Sequence, residues 1–85
     1  MKEIEFTPDA AKALRKMPAN TARLIRAKID QFAREPDSLA NNVKALKGEF
    51  AGIIRLRVGD WRVFMDDTGT VLLILRIAPR GSAYE

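Results

Sequence analysis

The sequence predicts a small α+β domain in which an N-terminal strand and a two-helix hairpin pack on a mainly antiparallel sheet of about four strands. Apolar residues recur at helical spacing in two segments between positions 7 and 35, which predicts two amphipathic helices. Residues 53–77 instead contain three short apolar or alternating runs separated by Gly and Asp, which predicts three neighbouring strands. With 85 residues, 47% of them apolar, the chain is expected to form one domain over residues 1–85.

The first strand and the first helix follow directly from local signals. Residues 2–6 alternate polar and apolar side chains, as a short strand does. Thr7 is a favourable N-cap and Pro8 fits the first helical position, so the helix is expected to begin there and to end before Pro18. Its buried stripe is predicted to consist of Ala10, Leu14 and Met17.

The second helix is predicted over residues 20–35, before Pro36. Its buried stripe is expected to consist of Leu24, Ile25, Ile29 and Phe32. Its outer face is basic and carries Arg23, Arg26, Lys28 and Arg34. The pattern then weakens: residues 38–40 are compatible with one helical turn, and residues 43–48 with a short strand or the approach to one.

Three arginines are predicted to meet on the face of the sheet that the helices leave open. Strands are expected over residues 53–58, 61–65 and 71–77, and a two-residue Gly-Asp loop joins the first two. This loop places Arg57 opposite Arg62, with Arg55 on the same face. Like charges directly opposite each other destabilise a sheet by up to about 1 kcal/mol, so the pattern favours a surface that binds a polyanion. A plain solvated sheet face is the structural alternative, and Trp61 is expected to pack in the core instead.

Composition limits the chemistry of the protein. The net charge of +4 suits an anionic partner but is also common among proteins that bind none. Absence of Cys and His removes the usual zinc, iron and copper sites and every His-based general base, so Lys, Arg, Tyr, Ser, Thr or carboxylates would have to carry any catalysis. The N-terminus lacks the apolar core of a signal peptide, and the protein is expected to be soluble and cytoplasmic, with no membrane partner.

Several segments together resemble the RelE/ParE superfamily of bacterial toxins. The central block Ile54-Arg55-Leu56-Arg57-Val58-Gly59-Asp60-Trp61-Arg62-Val63 is the most specific; residues 45–48 (ALKG), residues 75–80 (LRIAPR) and Tyr84 add to it. The resemblance covers nearly the whole chain. It implies the toxin of a type II toxin–antitoxin module, in which the RelE branch cleaves messenger RNA in the ribosomal A site and the ParE branch poisons DNA gyrase.

The resemblance also implies roles for five residues in a metal-independent cleavage. Arg55 would orient the substrate phosphate, Arg57 would promote attack by the 2′-OH, and Arg62 would stabilise the phosphorane. Arg80 would assist the leaving group, and Tyr84 would stack on a base or transfer a proton. Arg57 stands where some members carry lysine, and a guanidinium with a pKa above about 12 does not readily act as a base. Charge stabilisation is therefore expected to dominate.

These observations favour a ribosome-dependent mRNA endonuclease that inhibits translation. RNA is expected to be bound by Lys44, Lys47, Arg55 and Arg76. The expected partners are a cognate antitoxin, in a hetero-oligomer, together with the ribosome and mRNA, and no small-molecule cofactor is expected. Two alternatives stay open. One is a ParE-like gyrase inhibitor, and the other is a toxin remnant that only binds its antitoxin, because the chain ends one residue after Tyr84 and a long C-terminal helix is expected to be missing.

Overall fold

The computed structural model describes residues 2–81, and its elements follow the predicted order. Two α-helices lie between the first and second strands, and a short 3₁₀ helix stands on either side of the second strand. In chain order the elements are β1 (Glu3–Phe6), α1 (Pro8–Lys16), α2 (Ala19–Arg34), a 3₁₀ helix (Pro36–Asn42), β2 (Val43–Ala45), a second 3₁₀ helix (Gly48–Phe50), β3 (Ile53–Val58), β4 (Trp61–Asp67) and β5 (Val71–Pro79).

The strands form one sheet in the order β1-β5-β4-β3-β2. Only β1 and β5 run parallel, and the other pairs are antiparallel, so the predicted α+β class with a mainly antiparallel sheet is confirmed. The sheet has five strands where about four were expected, because the weakly patterned segment after the helices does pair, as the edge strand β2. The last strand, β5, lies inside the sheet between β1 and β4.

Thr7 joins β1 to α1 and links the helix to the sheet. Its hydroxyl oxygen accepts a hydrogen bond from the backbone N–H of Ala10 at 3.1 Å, which confirms it as the N-cap of α1. The same hydroxyl donates to the carbonyl oxygen of Leu75 at 2.7 Å. Because Leu75 lies on β5 just beyond the end of the β1 pairing, this contact satisfies a carbonyl that has no strand partner on that side.

The core lies between the helices and one face of the sheet. It confirms the buried stripe of α1 and most of that of α2, where Ile25, Ile29 and Phe32 are buried. The prediction for Leu24 is wrong, since 51% of this residue is exposed. Leu24 precedes Ile25 by one residue, about 100° around a helix, and that rotation turns it away from the sheet. No helix within residues 2–81 is both long enough and apolar enough to span a membrane.

The hairpin of β3 and β4 has the predicted register. Val58 pairs with Trp61, Arg57 with Arg62, and the pairing continues back along both strands. Gly59 has a φ of +59°, a conformation that glycine adopts without steric cost, so the two-residue loop closes tightly. Farther along β4 the register against β5 shifts between Phe64 and Met65, where β5 carries one extra residue.

Candidate functional site

One row of four side chains crosses the sheet on the face opposite the helices. Lys44 pairs with Arg55, and Arg55 with Phe64. Phe64 in turn pairs with Arg76 on β5. Because directly opposite residues of antiparallel strands lie about 4.5–5.5 Å apart at Cβ, the row is continuous, with cations on both sides of one aromatic ring. Phe64 is fully buried although it stands apart from the core cluster between helices and sheet.

A second row lies next to the β3–β4 turn. Arg57 pairs with Arg62, and Arg62 pairs with Ala78 of β5. Side chains two residues apart on a strand share a face, so this row runs beside the first at about 7 Å. We call the cations of the two rows the basic face: Lys44, Arg55, Arg57, Arg62 and Arg76.

The two facing arginines of the second row have different surroundings. Arg57 is exposed, whereas Arg62 is only 8% exposed. Nη1 of Arg62 donates hydrogen bonds of 3.0 Å to the carbonyl oxygens of Gly59 and Trp61. The guanidinium of Arg62 is therefore held by the turn of its own hairpin, and Arg57 is the more exposed arginine of the pair.

Arg80 is brought to the same turn by the backbone. Pro79, the last residue of β5, pairs with Trp61, and the N–H of Arg80 donates to the carbonyl oxygen of Asp60 at 2.8 Å. Arg80 itself is exposed. The late basic residue predicted from the sequence thus lies beside the turn that carries Arg62, although 18 positions separate the two in the chain.

Besides Arg80, which follows β5 at the turn, two of the predicted residues are not placed on these rows. Lys47 is exposed and follows β2, immediately before the 3₁₀ helix Gly48–Phe50, so no strand pairing aligns it with the basic face. Tyr84 lies outside the described residues.

A small polar cleft borders the basic face at the edge of the sheet. Its volume is about 100 Å³, and it lies between the end of the first 3₁₀ helix, β2 and β3. The lining residues are Asn41, Asn42, Val43, Lys44, Arg55 and Arg57. The two asparagines are functional candidates that sequence reasoning missed. The sequence did contain a signal for them, an Asn-Asn pair directly before the segment that carries a predicted RNA-binding lysine.

Two larger clefts lie on the other side of the sheet end, against α1. One, of about 420 Å³, runs between α1 and residues 76–79 of β5, and Asp9, Lys12 and Lys16 line its α1 side. The other, of about 330 Å³, is mainly apolar and is lined by Met17, Pro18, Trp61, Ile77 and Pro79 among others. Trp61 is half-buried and packs against the core, as its position in the strand predicted.

Two acidic residues lie near the basic face: Asp60 is in the β3–β4 turn, and Asp66 stands two residues from Phe64 on the same face of β4. In the part of the chain that the structure describes, no three acidic side chains cluster as metal ligands would. Asp67, at the opposite end of β4, accepts a hydrogen bond and forms an ion pair with Lys2 at 2.5 Å. The ammonium of Lys2 and a hydrogen bond from the N–H of Gly69 hold the pKa of the Asp67 carboxyl below its usual value of 3.8, against a smaller opposing effect of burial.

Fold and sequence comparisons define the class of protein. The family model of the ParE toxin of type II toxin–antitoxin systems matches residues 4–84. The RelE–RelB complex of Pyrococcus horikoshii contains a similar chain, with 28% identity and a TM-score of 0.76 over 96% of this chain and 98% of that one. The toxin–antitoxin complex RelBE2 of Mycobacterium tuberculosis is also similar, with 31% identity and a TM-score of 0.67 over 93% and 98% of the two chains.

Isolated RelE of Escherichia coli shares the fold at 15% identity, with a TM-score of 0.75 over 98% of this chain and 88% of that one. A comparison with curated proteins gives no significant match. The fold and the matched family together define a small toxin domain of the RelE/ParE superfamily. The chain belongs to the ParE toxin family of type II toxin–antitoxin systems.

Proposed function

We propose that the protein is a ribosome-dependent, metal-independent mRNA endonuclease of the RelE type. The observation that carries the proposal is the convergence of Arg57, Arg62 and Arg80 at the β3–β4 turn, beside a row that adds Lys44, Arg55 and Arg76. A surface of this kind serves a reaction at a phosphodiester, in which negative charge develops on the phosphoryl oxygens. Docking on a protein such as gyrase has no comparable need for this cluster of cations.

The reaction is an internal transfer within the RNA. The 2′-oxygen forms a bond to the adjacent phosphorus, and the bond from phosphorus to the 5′-oxygen breaks, which leaves a 2′,3′-cyclic phosphate and a 5′-OH. The 2′-OH loses a proton to solvent, and the departing 5′-oxygen gains a proton from solvent. Arginine is a poor proton acceptor, so the cations act by stabilising charge and not as general bases.

Exposure suggests how the arginines divide this work. Arg57, exposed on the sheet, contacts the phosphoryl oxygens and favours the 2′-alkoxide. Arg62 supplies charge from a fixed and largely buried position, where it acts more strongly than it would in water. Arg80, exposed beside the turn, stabilises the leaving oxygen, and Arg55 orients the phosphate. Tyr84 is proposed to stack on a base.

A cell-free translation assay tests the proposal. A defined message is translated with added protein, and cleavage is mapped by primer extension with and without ribosomes. We expect the message to be cut within codons, and only when ribosomes are present. The cuts should persist when the protein has been treated with EDTA, and they should be lost in Arg57→Ala. Arg15→Ala is the matched control, because it removes an exposed charge from α1 away from the basic face. An intact message in every reaction would overturn the proposal.

Gyrase inhibition is the second candidate, because the matched family model is that of ParE. On that alternative the apolar cleft beside Trp61 and the exposed Leu24 would be protein-docking elements. A supercoiling assay with purified gyrase discriminates the two candidates: inhibition of supercoiling together with an intact message would establish the ParE-type action.

We also propose that a cognate antitoxin neutralises the toxin by covering the basic face. Chains similar to this one are described in complexes with RelB. An acidic or apolar antitoxin segment would both neutralise the cations and block access to RNA. Charge reversal at Arg57, in Arg57→Glu, is expected to weaken the toxin–antitoxin complex, measured by titration calorimetry, whereas Arg15→Glu is expected to leave it unchanged.

A further inference from the structure

The small cleft beside the basic face combines two kinds of polar group. Lys44, Arg55 and Arg57 supply only hydrogen-bond donors and positive charge, whereas the amides of Asn41 and Asn42 each supply both donors and an acceptor. No carboxylate lines the cleft. Such a set suits a ligand that has an anionic part and a part with its own pattern of donors and acceptors.

The position of the cleft places the amides next to the cations of the second row. Val43 pairs with Leu56 and Lys44 with Arg55, so Asn42 stands one residue before the strand, level with Arg57. Within residues 2–81 the side chains of Asn41, Asn42, Lys44 and Arg57 form no hydrogen bond or ion pair with the rest of the protein. Asn42 is half-buried and Asn41 is exposed, so both amides remain open to a ligand at the cleft.

A nucleotide of single-stranded RNA fits this chemistry. Cations hold the phosphates of any sequence equally, whereas amides discriminate between base edges. Unstacked bases of single-stranded RNA expose those edges to side chains. The cleft lies two strand spacings, about 10 Å, from β4 and Arg62, so its nucleotide would be close to the phosphate that the basic face holds.

We propose that this cleft is a base-reading subsite: Lys44 and Arg57 hold the backbone of a nucleotide near the scissile phosphate, and the amides of Asn41 and Asn42 contact its base. The protein is then expected to prefer one base at one fixed position relative to the cut. The assignment of the subsite to a cleavage reaction rests on the proposed nuclease function. The binding of a single-stranded nucleotide does not require cleavage.

Direct binding tests the subsite without ribosomes or cleavage. Fluorescence anisotropy at low salt measures the affinity of the full chain for four labelled RNAs of sequence UUXUU, in which X is A, C, G or U. One base is expected to bind about tenfold more tightly than the weakest, as one good amide–base pair allows. In Asn41→Ala and Asn42→Ala the four affinities are expected to agree within about twofold, because the amide contacts are removed.

Two controls separate base reading from charge and from folding. Asn20→Ala, at the exposed start of α2, should keep the wild-type preference. Lys44→Ala should lower the affinity for all four RNAs by a similar factor, because a phosphate contact carries no sequence information. Equal affinities in the wild type, or a preference that survives in both asparagine variants, would overturn the subsite.

The base sequence around the cut sites provides a second test of the subsite. If the protein cleaves, mapping of the cuts should show a base preference at one position in the wild type and a broader distribution in the asparagine variants. Asn-dependent discrimination in binding without any cleavage would overturn the nuclease proposal and keep the subsite. Cleavage in which the four RNAs bind equally well and the asparagine variants cut at the wild-type sites would overturn the subsite and keep the nuclease proposal.

Discussion

Arg57 and Arg62 face each other across β3 and β4, yet only Arg57 is open to solvent. The Nη1 atom of Arg62 donates to the carbonyl oxygens of Gly59 and Trp61, and this residue is 8% exposed. Arg62 therefore also maintains the turn, whereas Arg57 presents its charge to solvent. The two positions should respond differently to substitution.

Substitution of Arg57 should affect function and spare the fold. Arg57→Ala removes an exposed side chain that faces a like charge, so the free energy of unfolding should change by no more than about 0.5 kcal/mol. Ribosome-dependent cleavage should fall by about 100-fold or more, the typical cost of removing one group that stabilises transition-state charge. Urea unfolding and primer extension measure the two effects, with Arg15→Ala as the control. A stable Arg57→Ala variant with undiminished cleavage would contradict the proposed role.

Substitution of Arg62 should affect the fold as well. Arg62→Ala leaves the carbonyls of Gly59 and Trp61 without their side-chain donor, which should lower the free energy of unfolding by about 1–3 kcal/mol. Urea denaturation measures this loss. Loss of toxicity in Arg62→Ala would therefore not by itself identify a catalytic group. Arg62→Lys keeps the charge but not the fork of donors, so any activity that it retains reports on charge alone.

The sequence predicted the β3–β4 hairpin well because two local signals agree there. The Gly-Asp loop fixes the register, and the alternation of arginines with apolar residues over positions 54–58 and 61–63 fixes which side chains share a face. Together they placed Arg57 opposite Arg62. Alternation does not determine where a long side chain bends, however, and so the burial of Arg62 against its own turn could not be foreseen.

Three other features of the fold were harder to predict from the sequence, and each has a physical reason. β2 has only three residues and pairs on one side, so its sequence carries little pattern. Leu24 was assigned to the core from its apolar character, although its position in the helix turns it outward. The Asn-Asn pair before β2 is a local signal for these two residues, but the cleft depends on a 3₁₀ helix ending beside β3, a tertiary arrangement that the local sequence does not encode.

Thr7 should be the most sensitive of the capping positions. Thr7→Ala removes both the hydrogen bond that caps α1 and the one to the carbonyl oxygen of Leu75, so the free energy of unfolding should fall by about 1–2 kcal/mol. Thr7→Ser keeps the hydroxyl and should recover most of that loss. Thermal unfolding followed by circular dichroism compares the variants. Equal loss in the alanine and serine variants would show that the methyl group, and not the hydroxyl, provides the stability.

The ion pair between Lys2 and Asp67 should make a small part of the stability depend on pH. The pKa of Asp67 is lowered in the folded protein, chiefly by the hydrogen bond from Lys2, so its ionised form stabilises the fold. That contribution is complete above the usual value of 3.8 and disappears as the pH falls through the lower folded value. Asp67→Asn should therefore be less stable than the wild type at pH 7, by no more than about 1 kcal/mol for a partly exposed pair, and the difference should shrink as the pH falls below 3.8 towards pH 2. Urea unfolding at both pH values measures this difference, with Asp66→Asn as the neighbouring control. A difference that persists unchanged at pH 2 would attribute the effect to packing instead of charge.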